Sequence, residues 1–243
     1  MNNLISIIIP TYNRKVKLKR ALETVINQSY TNWETIIVDN KSLDGTSEMV
    51  KNLNDPRIKF YEMNNNGIIA YSRNKAIEKA QGKILAFLDS DDWWTQDKLF
   101  FSNFYYNKGY KFTYHDMKLR KKNQIFNRKI GYCRKLLNNH YKDLKFNGPA
   151  FATSSVVIEK ELFSSFNFFR EDKKYIAWED FDAWLRVSAK YNSLFKIDKV
   201  LGCINIDDEN YLNAEKMLLN LEEFKKEYLV SEKVPNWVKY NII

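Results

Sequence analysis

An α/β fold built on a mostly parallel, doubly wound sheet is what this sequence predicts, and three observations carry the prediction. Apolar runs of strand length alternate with stretches of helical spacing through the first half of the chain. Each run stops in polar or acidic residues, at Pro10 to Asn13, at Asp39 and at Asp89 to Asp92. The composition, 44% hydrophobic and 15% aromatic over 243 residues, supports a sizeable core and excludes a disordered chain. Strands separated by helices return in the same direction and pair in parallel. In such sheets ligands bind at the carboxyl ends of the strands, where the three polar clusters fall.

Taken in order, Leu4 to Ile9 is the first strand, stopped by Pro10. Val16 to Asn27 places Leu18, Leu22, Val25 and Ile26 at helical spacing. Trp33 to Val38 is the second strand, followed by a turn over residues 40–45 and a short helix from Thr46 to Leu53. Ile58 to Tyr61 is the third strand, and the Asn-rich loop of residues 64–67 leads into a helix from Ile69 to Ala80. Gln81 and Gly82 cap that helix before the strand at Ile84. Beyond residue 110 the expected strands are Lys111 to Met117 and Phe151 to Ile158, and the expected helices are Trp178 to Ser188 and Asn213 to Tyr228. The domain reading divides the chain into residues 1–110, residues 111–212, and a terminal helix and tail over 213–243.

The stretch ILAFLDSDDWW, Ile84 to Trp94, holds the strongest chemical signal. Carboxylates crowded at a strand end repel one another and are costly to desolvate, so Asp89, Asp91 and Asp92 call for a positive partner. A hard divalent cation such as Mg²⁺ or Mn²⁺ takes oxygen ligands, and in phosphate chemistry one or two carboxylates hold it together with the substrate's phosphates. The plainer alternative is that these acids cap the next helix. No GxGxxG follows the first strand and no GxxxxGK[ST] occurs, so a dinucleotide site and a P-loop are both unsupported.

Charge is concentrated rather than spread. Ten Lys and Arg face one acid, Asp143, between Lys118 and Lys145, which equals the whole net charge of +9. Such a segment faces an anionic partner, here a membrane surface or a phosphorylated substrate, or is a solvated insertion. Its aromatics are few and it matches no single-strand-binding pattern, so nucleic acid is not expected. Cys133 and Cys203 lie far apart without CxxC spacing and read as ordinary thiols. No apolar run reaches membrane-span length and the N-terminal stretch lacks a signal-peptide pattern, so a cytoplasmic location is expected, at the inner face of the cell membrane if the basic segment docks there.

Five stretches in order, SIIIPTYNR, ETIIVDNKSLDGT, NNNGIIAYSRNKAI, ILAFLDSDDWW and WEDFDAWLRVS, resemble the successive motifs of the family 2 glycosyltransferases of the GT-A fold. The resemblance implies an inverting, nucleotide-sugar-dependent enzyme of bacterial surface-glycan type, with Mn²⁺ or Mg²⁺ as cofactor. By position it implies that Pro10, Thr11, Tyr12, Asn13 and Asp39 bind the nucleoside, and that Arg73 and Asn74 lie by the diphosphate. It makes Asp89, Ser90 and Asp91 the DxD motif, with the two aspartates on the metal and Asp180 as catalytic base. Asp92, Trp93, Trp178 and Glu179 fall around the acceptor or behind these groups, and TSSVV near residue 155 lies close to the donor sugar. The implied donor is a UDP-sugar and the implied acceptor a saccharide, lipid-linked in one version.

Residue chemistry agrees with several of these roles. An ionised Asp39 only accepts hydrogen bonds and suits a ring N–H such as that of uracil. Glu179 and Asp180 fall in the first turn of a helix, where negative charge is favoured, while Asp182 and Arg186 read as a surface ion pair. Two departures stand out. Asn40 and Lys41 replace an acid and a small residue of the usual middle motif, and no histidine follows Asp180, which leaves Asp207 or Asp208 as substitutes for a late ligand. The rival readings are a Mg-dependent phosphoryl-transfer α/β protein and a nucleic-acid- or membrane-binding protein using residues 118–145.

Overall fold

The computed structural model describes residues 1–121, 133–206 and 226–228. Its first half is the expected alternation: β1 (Ile5–Thr11), α1 (Lys15–Ile26), β2 (Trp33–Asp39), α2 (Thr46–Lys51), β3 (Ile58–Glu62), α3 (Ile69–Lys79) and β4 (Ile84–Phe87). β1 lies between β2 and β4, and β3 flanks β2, all in parallel. Alternation along β1 builds two core layers. Ile5, Ile7 and Ile9 join Leu18, Leu22 and Val25 of α1 on one side, whereas Ile8 joins Ala76 and Ile77 of α3 on the other. Each such fully buried side chain stabilises by about 1.5–3 kcal/mol relative to exposure, so a one-residue slip of β1 would reverse both layers at once.

The second half adds β5 (Trp93–Trp94), α4 (Lys98–Asn107), β6 (Phe112–Lys121), α5 (His140–Asn147), β7 (Val157–Glu159), α6 (Lys160–Ser164), α7 (Glu179–Lys190) and β8 (Leu194–Ile206). One sheet takes them all, in the order β3-β2-β1-β4-β7-β6-β8-β5, so strands from both sides of residue 110 share it. β7 runs antiparallel between β4 and β6, β8 is parallel to β6, and the short β5 is antiparallel to β8 at the edge. No helix among the described residues is long and apolar enough to cross a membrane.

Three expectations need correction. β1 does not stop at Pro10 but continues through it, with Pro10 opposite Val38 and Thr11 opposite Asp39. The missing N–H is tolerated because β4 pairs only as far as Ile8, leaving β1 beyond that point without a neighbour on the β4 side. Phe151 to Ile158 is not a continuous strand, since a 3₁₀ turn occupies Thr153–Ser155 and only Val157–Glu159 pairs. Hydroxyl side chains compete with the ladder here: Ser155 Oγ donates to Ala152 O at 2.7 Å, and its two neighbours donate to carboxylates. Asp182 and Arg186 are not a surface pair. Asp182 is fully buried, and Arg186 Nε donates to it at 2.8 Å while Nη2 donates to Phe168 O at 2.7 Å. Of the expected helix Asn213 to Tyr228, residues 226–228 are described and helical. The rest of that helix, Asp207, Asp208, the terminal tail and residues 122–132 of the basic segment lie outside the described residues.

Candidate active site

The carboxyl ends of β1, β2 and β4 meet at one rim, as the alternation requires. Thr11 and Asp39 are register partners at the ends of β1 and β2, and both are buried. The Thr11 hydroxyl has no hydrogen-bond partner among the described residues. Asp39 accepts from the Ser42 N–H at 2.7 Å and from the Ser42 hydroxyl, closing the turn after β2. Burial nevertheless pushes its carboxyl above the usual range, because two hydrogen bonds only partly replace water and Glu62 and Asp44 add repulsion. Asn13, with φ of 48°, is a residue type that tolerates the left-handed region. Its backbone N–H and side chain reach across to Ser42 and Leu43 at 2.7 and 2.9 Å. Tyr12 stands between Thr11 and Asn13 with its ring exposed.

After β4 the chain turns sharply, with Asp92 N–H donating to Asp89 O at 3.0 Å. The turn aims its three carboxylates differently. Asp89 accepts from Arg73 Nη2 at 2.8 Å, Asp91 is paired with Arg14, and the buried Asp92 accepts from Ser154 Oγ at 2.6 Å and from Asn205 N–H at 3.2 Å. Burial, then the charges of Asp89 and Asp91, hold Asp92 well above the ordinary carboxylate range. Burial and Asp89 raise Asp91 less, because Arg14 offsets them. Ser90 is buried inside the turn.

Arg73, on α3, is 4% exposed and links two parts of the rim. Its other guanidinium arm donates to Glu179 Oε1 at 2.9 Å. Burial opposes the charge on Arg73, but Asp89, Glu179 and Asp180 together raise its pKa above the ordinary value. Glu179 is pushed up to about 7, because full burial outweighs the attraction of Arg73 and Asp180 adds repulsion. Asp180, next along α7, is half-buried and accepts from Thr153 Oγ1 at 2.8 Å and from the Phe181 N–H at 2.7 Å. Trp178 is buried in the core beneath this helix start, and Ala177 before it has φ of 69°, a left-handed conformation that costs a non-glycine residue roughly 1–2 kcal/mol.

The structure therefore brings together Thr11, Asp39, Arg73, Asp89, Asp91, Asp92, Glu179 and Asp180, which lie far apart in sequence. Asn74 instead pins the loop before α7, since its amide donates to Phe169 O at 2.7 Å and Glu171 Oε1 at 2.8 Å and accepts from Phe169 N–H. Four further residues carry no signal of their own in the sequence: Arg14, Arg20, Thr153 and Ser154. Arg14 ends the PTYNR stretch, and the two hydroxyls lie in TSSVV, so the sequence marks their neighbourhoods without naming their partners. Among the described residues no group of three His, Cys, Asp or Glu is arranged to hold a metal alone. Asp89 and Asp91 do supply hard oxygen atoms at one turn, which fits an Mg²⁺ or Mn²⁺ ion completed by substrate phosphates and water.

The "Glycosyl transferase family 2" model matches residues 6–100, which include β1 to β5 and the whole acidic turn. A glucosyltransferase of Escherichia coli, WfgD, is 31% identical over 185 residues, 76% of this chain and 69% of its own length. The chain belongs to glycosyltransferase family 2. The match to TuaG of Bacillus subtilis, a putative teichuronic acid biosynthesis glycosyltransferase, is 44% identical over 98 residues but spans 40% of this chain and 39% of TuaG. Among solved structures, Staphylococcus aureus TarS in complex with UDP superposes with a TM-score of 0.69 at 19% identity, over 91% of this chain and 65% of that one. A mannosyltransferase of Pyrobaculum calidifontis in complex with GDP-Man and Mn²⁺ gives a TM-score of 0.69 at 18% identity, over 96% of this chain and 66% of that one. These likenesses establish the GT-A fold of this chain.

Proposed function

We propose that this glycosyltransferase moves a sugar from a UDP-sugar to a saccharide acceptor, with inversion, in the synthesis of a bacterial surface glycan. Its relatives support this reading: TuaG is named for teichuronic acid biosynthesis, WfgD acts on a GlcNAc-diphosphoundecaprenol, and TarS has been solved with UDP-GlcNAc. The observation that carries the mechanism is the Thr153–Ser154 pair, whose adjacent hydroxyls bond Asp180 and Asp92. A carboxylate able to act as base is thereby tied to the acidic turn that receives the diphosphate.

Thr11 and Asp39 take the uracil end, with the unpartnered Thr11 hydroxyl available to the nucleoside, and Pro10, Tyr12 and Asn13 shape the edge of that pocket. Asp89 and Asp91 would hold Mn²⁺ or Mg²⁺. When bound, the ion neutralises charge gathering on the departing diphosphate. Arg73 adds a fixed positive charge from the side of Asp89, and Arg14 another from the side of Asp91. Asp180 takes the proton of the attacking acceptor hydroxyl as the new C–O bond forms and the bond to the diphosphate breaks. Its two oxygens each have one protein donor, which leaves lone pairs for that proton. The first turn of α7 favours its negative charge. The acceptor is lipid-linked, and the positive charge concentrated over residues 118–145 draws the enzyme to the cytoplasmic face of the membrane that carries it. The phosphoryl-transfer and nucleic-acid readings lose their support with membership of the family.

The test is UDP binding and transfer measured together. UDP should bind more tightly with Mn²⁺ than with EDTA, and Asp91→Ala should remove the difference. Asp180→Asn should lose transfer and keep UDP binding. UDP affinity that ignores chelation would refute the metal assignment, and full transfer by Asp180→Asn would refute the base.

A further inference from the structure

The groove beside Trp93 carries charge that the donor site does not use. Pairing of β5 with β8 and of β8 with β6 sets Trp93, Cys203 and Lys118 in one row across three strands. Arg120 is two residues along β6 and so shares the face of Lys118. With Val200 they line a groove of about 500 Å³. One residue away from Cys203 in β8, Gly202 packs directly on the buried Met117, where a Cβ would lie 2.5 Å from Met117 Sδ and 3.1 Å from Trp93 O, so β8 can lie this close to its neighbours.

Two guanidiniums converge on one indole there: Arg20 lies 3.8 Å and Arg120 5.7 Å from the Trp93 ring centre. Arg20 Nη2 donates to the Asp91 main-chain oxygen at 2.6 Å, while its buried Nε has no hydrogen-bond partner. Burial and the nearby charge of Arg120 both lower its pKa. Among the described residues no ion pair joins Arg20, Lys118 or Arg120 to a carboxylate; Asp91 is paired with Arg14, and Asp92 is taken by Ser154 and Asn205. Three cations around one aromatic floor, with no carboxylate paired to them, form a site for a multiply charged anion, and guanidiniums suit phosphate oxygens because they bind in pairs.

We propose that Arg20, Lys118 and Arg120 bind the diphosphate of the acceptor, so that this enzyme selects an organic diphosphate ester over an uncharged saccharide. The proposal rests on the glycosyltransferase reading above but uses a different anion site from the donor's, which has Asp89, Asp91, Arg73 and Arg14. It also separates Lys118 and Arg120 from the rest of the basic segment, giving them a ligand rather than a membrane surface.

The probe is octyl diphosphate, titrated calorimetrically into the whole chain in EDTA so that metal-dependent UDP binding is silent. Wild type should bind it, and Lys118→Ala/Arg120→Ala should weaken binding by about tenfold or more. Lys118→Arg/Arg120→Lys should retain binding, and UDP binding with Mn²⁺ should be unchanged in both variants. The proposal is overturned if wild type does not bind the probe, if the alanine variant binds it as wild type does, or if the charge-retaining variant loses as much as the alanine one. Equal loss of UDP binding would make the groove part of the donor site and also overturn it. Inorganic pyrophosphate bound as tightly as octyl diphosphate would assign the groove to the free anion and overturn the acceptor role. If UDP fails to bind with Mn²⁺ while the octyl diphosphate results are as expected, the donor reading fails and the groove stands.

Discussion

The acidic turn at Asp89–Asp92 has two flanks, and they treat positive charge in opposite ways. On one, Arg73 is buried between Asp89 and Glu179 with Asp180 close by, so one cation, itself shielded from water, serves several carboxylates. On the other, Lys118 and Arg120 line an open groove beside Trp93, Arg20 stacks on the same ring, and among the described residues no carboxylate is paired to any of the three. In the buried flank each charge is held by another within the protein, and removing either leaves its partner desolvated. In the open flank the surplus charge faces the groove. Similar side chains therefore serve as framework on one side and as recognition surface on the other, and burial decides which.

Substitutions can break or sharpen this contrast. The largest effect should come from the reacting end of the buried flank, where Asp180→Asn should lower kcat about 10²- to 10⁴-fold. UDP affinity, measured calorimetrically, should hold. Asp182→Asn, only two residues away, should act on folding instead, because Asp182 is fully buried with Arg186, Arg170 and Tyr228 around it. Its urea midpoint should fall while the activity of the folded fraction persists. Arg73→Met should come next, losing about 3–5 kcal/mol in a urea melt by stranding Asp89 and Glu179. Arg120→Met in the groove should change stability by less than about 0.5 kcal/mol. Equal losses at these two arginines would erase the distinction between the flanks.

A smaller effect should appear as pH dependence. Glu179 titrates from 4.5 in its ordinary state to about 7 when folded, so across that window the folded protein binds more protons than the unfolded chain. Its contribution to stability is then fully present below about 4.5, declines as pH rises to about 7 and is lost above, and Glu179→Gln should remove that decline from a series of thermal melts. Smallest of all, Ala177→Gly should stabilise by about 1 kcal/mol, because glycine adopts the left-handed conformation at residue 177 without steric cost. A destabilised Gly variant would mean that the methyl group, rather than the backbone, governs the entry to α7.

How much of this is legible in the sequence depends on distance along the chain. β1 to β4 and α1 to α3 are readable because each is specified by its own apolar spacing, and the acidic strand end announces itself by local crowding. Arg73, Asp39 and Asp180 are marked through the resemblance of their motifs. What escapes is pairing. Arg14 and Asp91 are 77 residues apart and Ser154 and Asp92 62 apart, and nothing in either stretch names the other. Asp182 and Arg186 look like a surface pair because i,i+4 spacing is the same whether a helix faces water or a core; the loop carbonyls of Phe166 and Phe168 that bury Arg186 arrive from outside the helix. TSSVV has strand-like composition, and the groups its hydroxyls bond in the turn, two carboxylates and the Ala152 carbonyl, lie outside it.

That turn also behaves as a gauge. Because Thr153 and Ser154 are adjacent, a single peptide unit separates the hydroxyl that holds Asp180 from the one that holds Asp92, and this turn acts beside the Arg73 bridge in setting the start of α7 against the end of β4. Inserting or deleting one residue there would change the spacing between Asp180 and the Asp89–Asp92 turn while leaving both intact. Transplanting α7 into a related enzyme should accordingly succeed only when the Thr153–Ser155 turn travels with it.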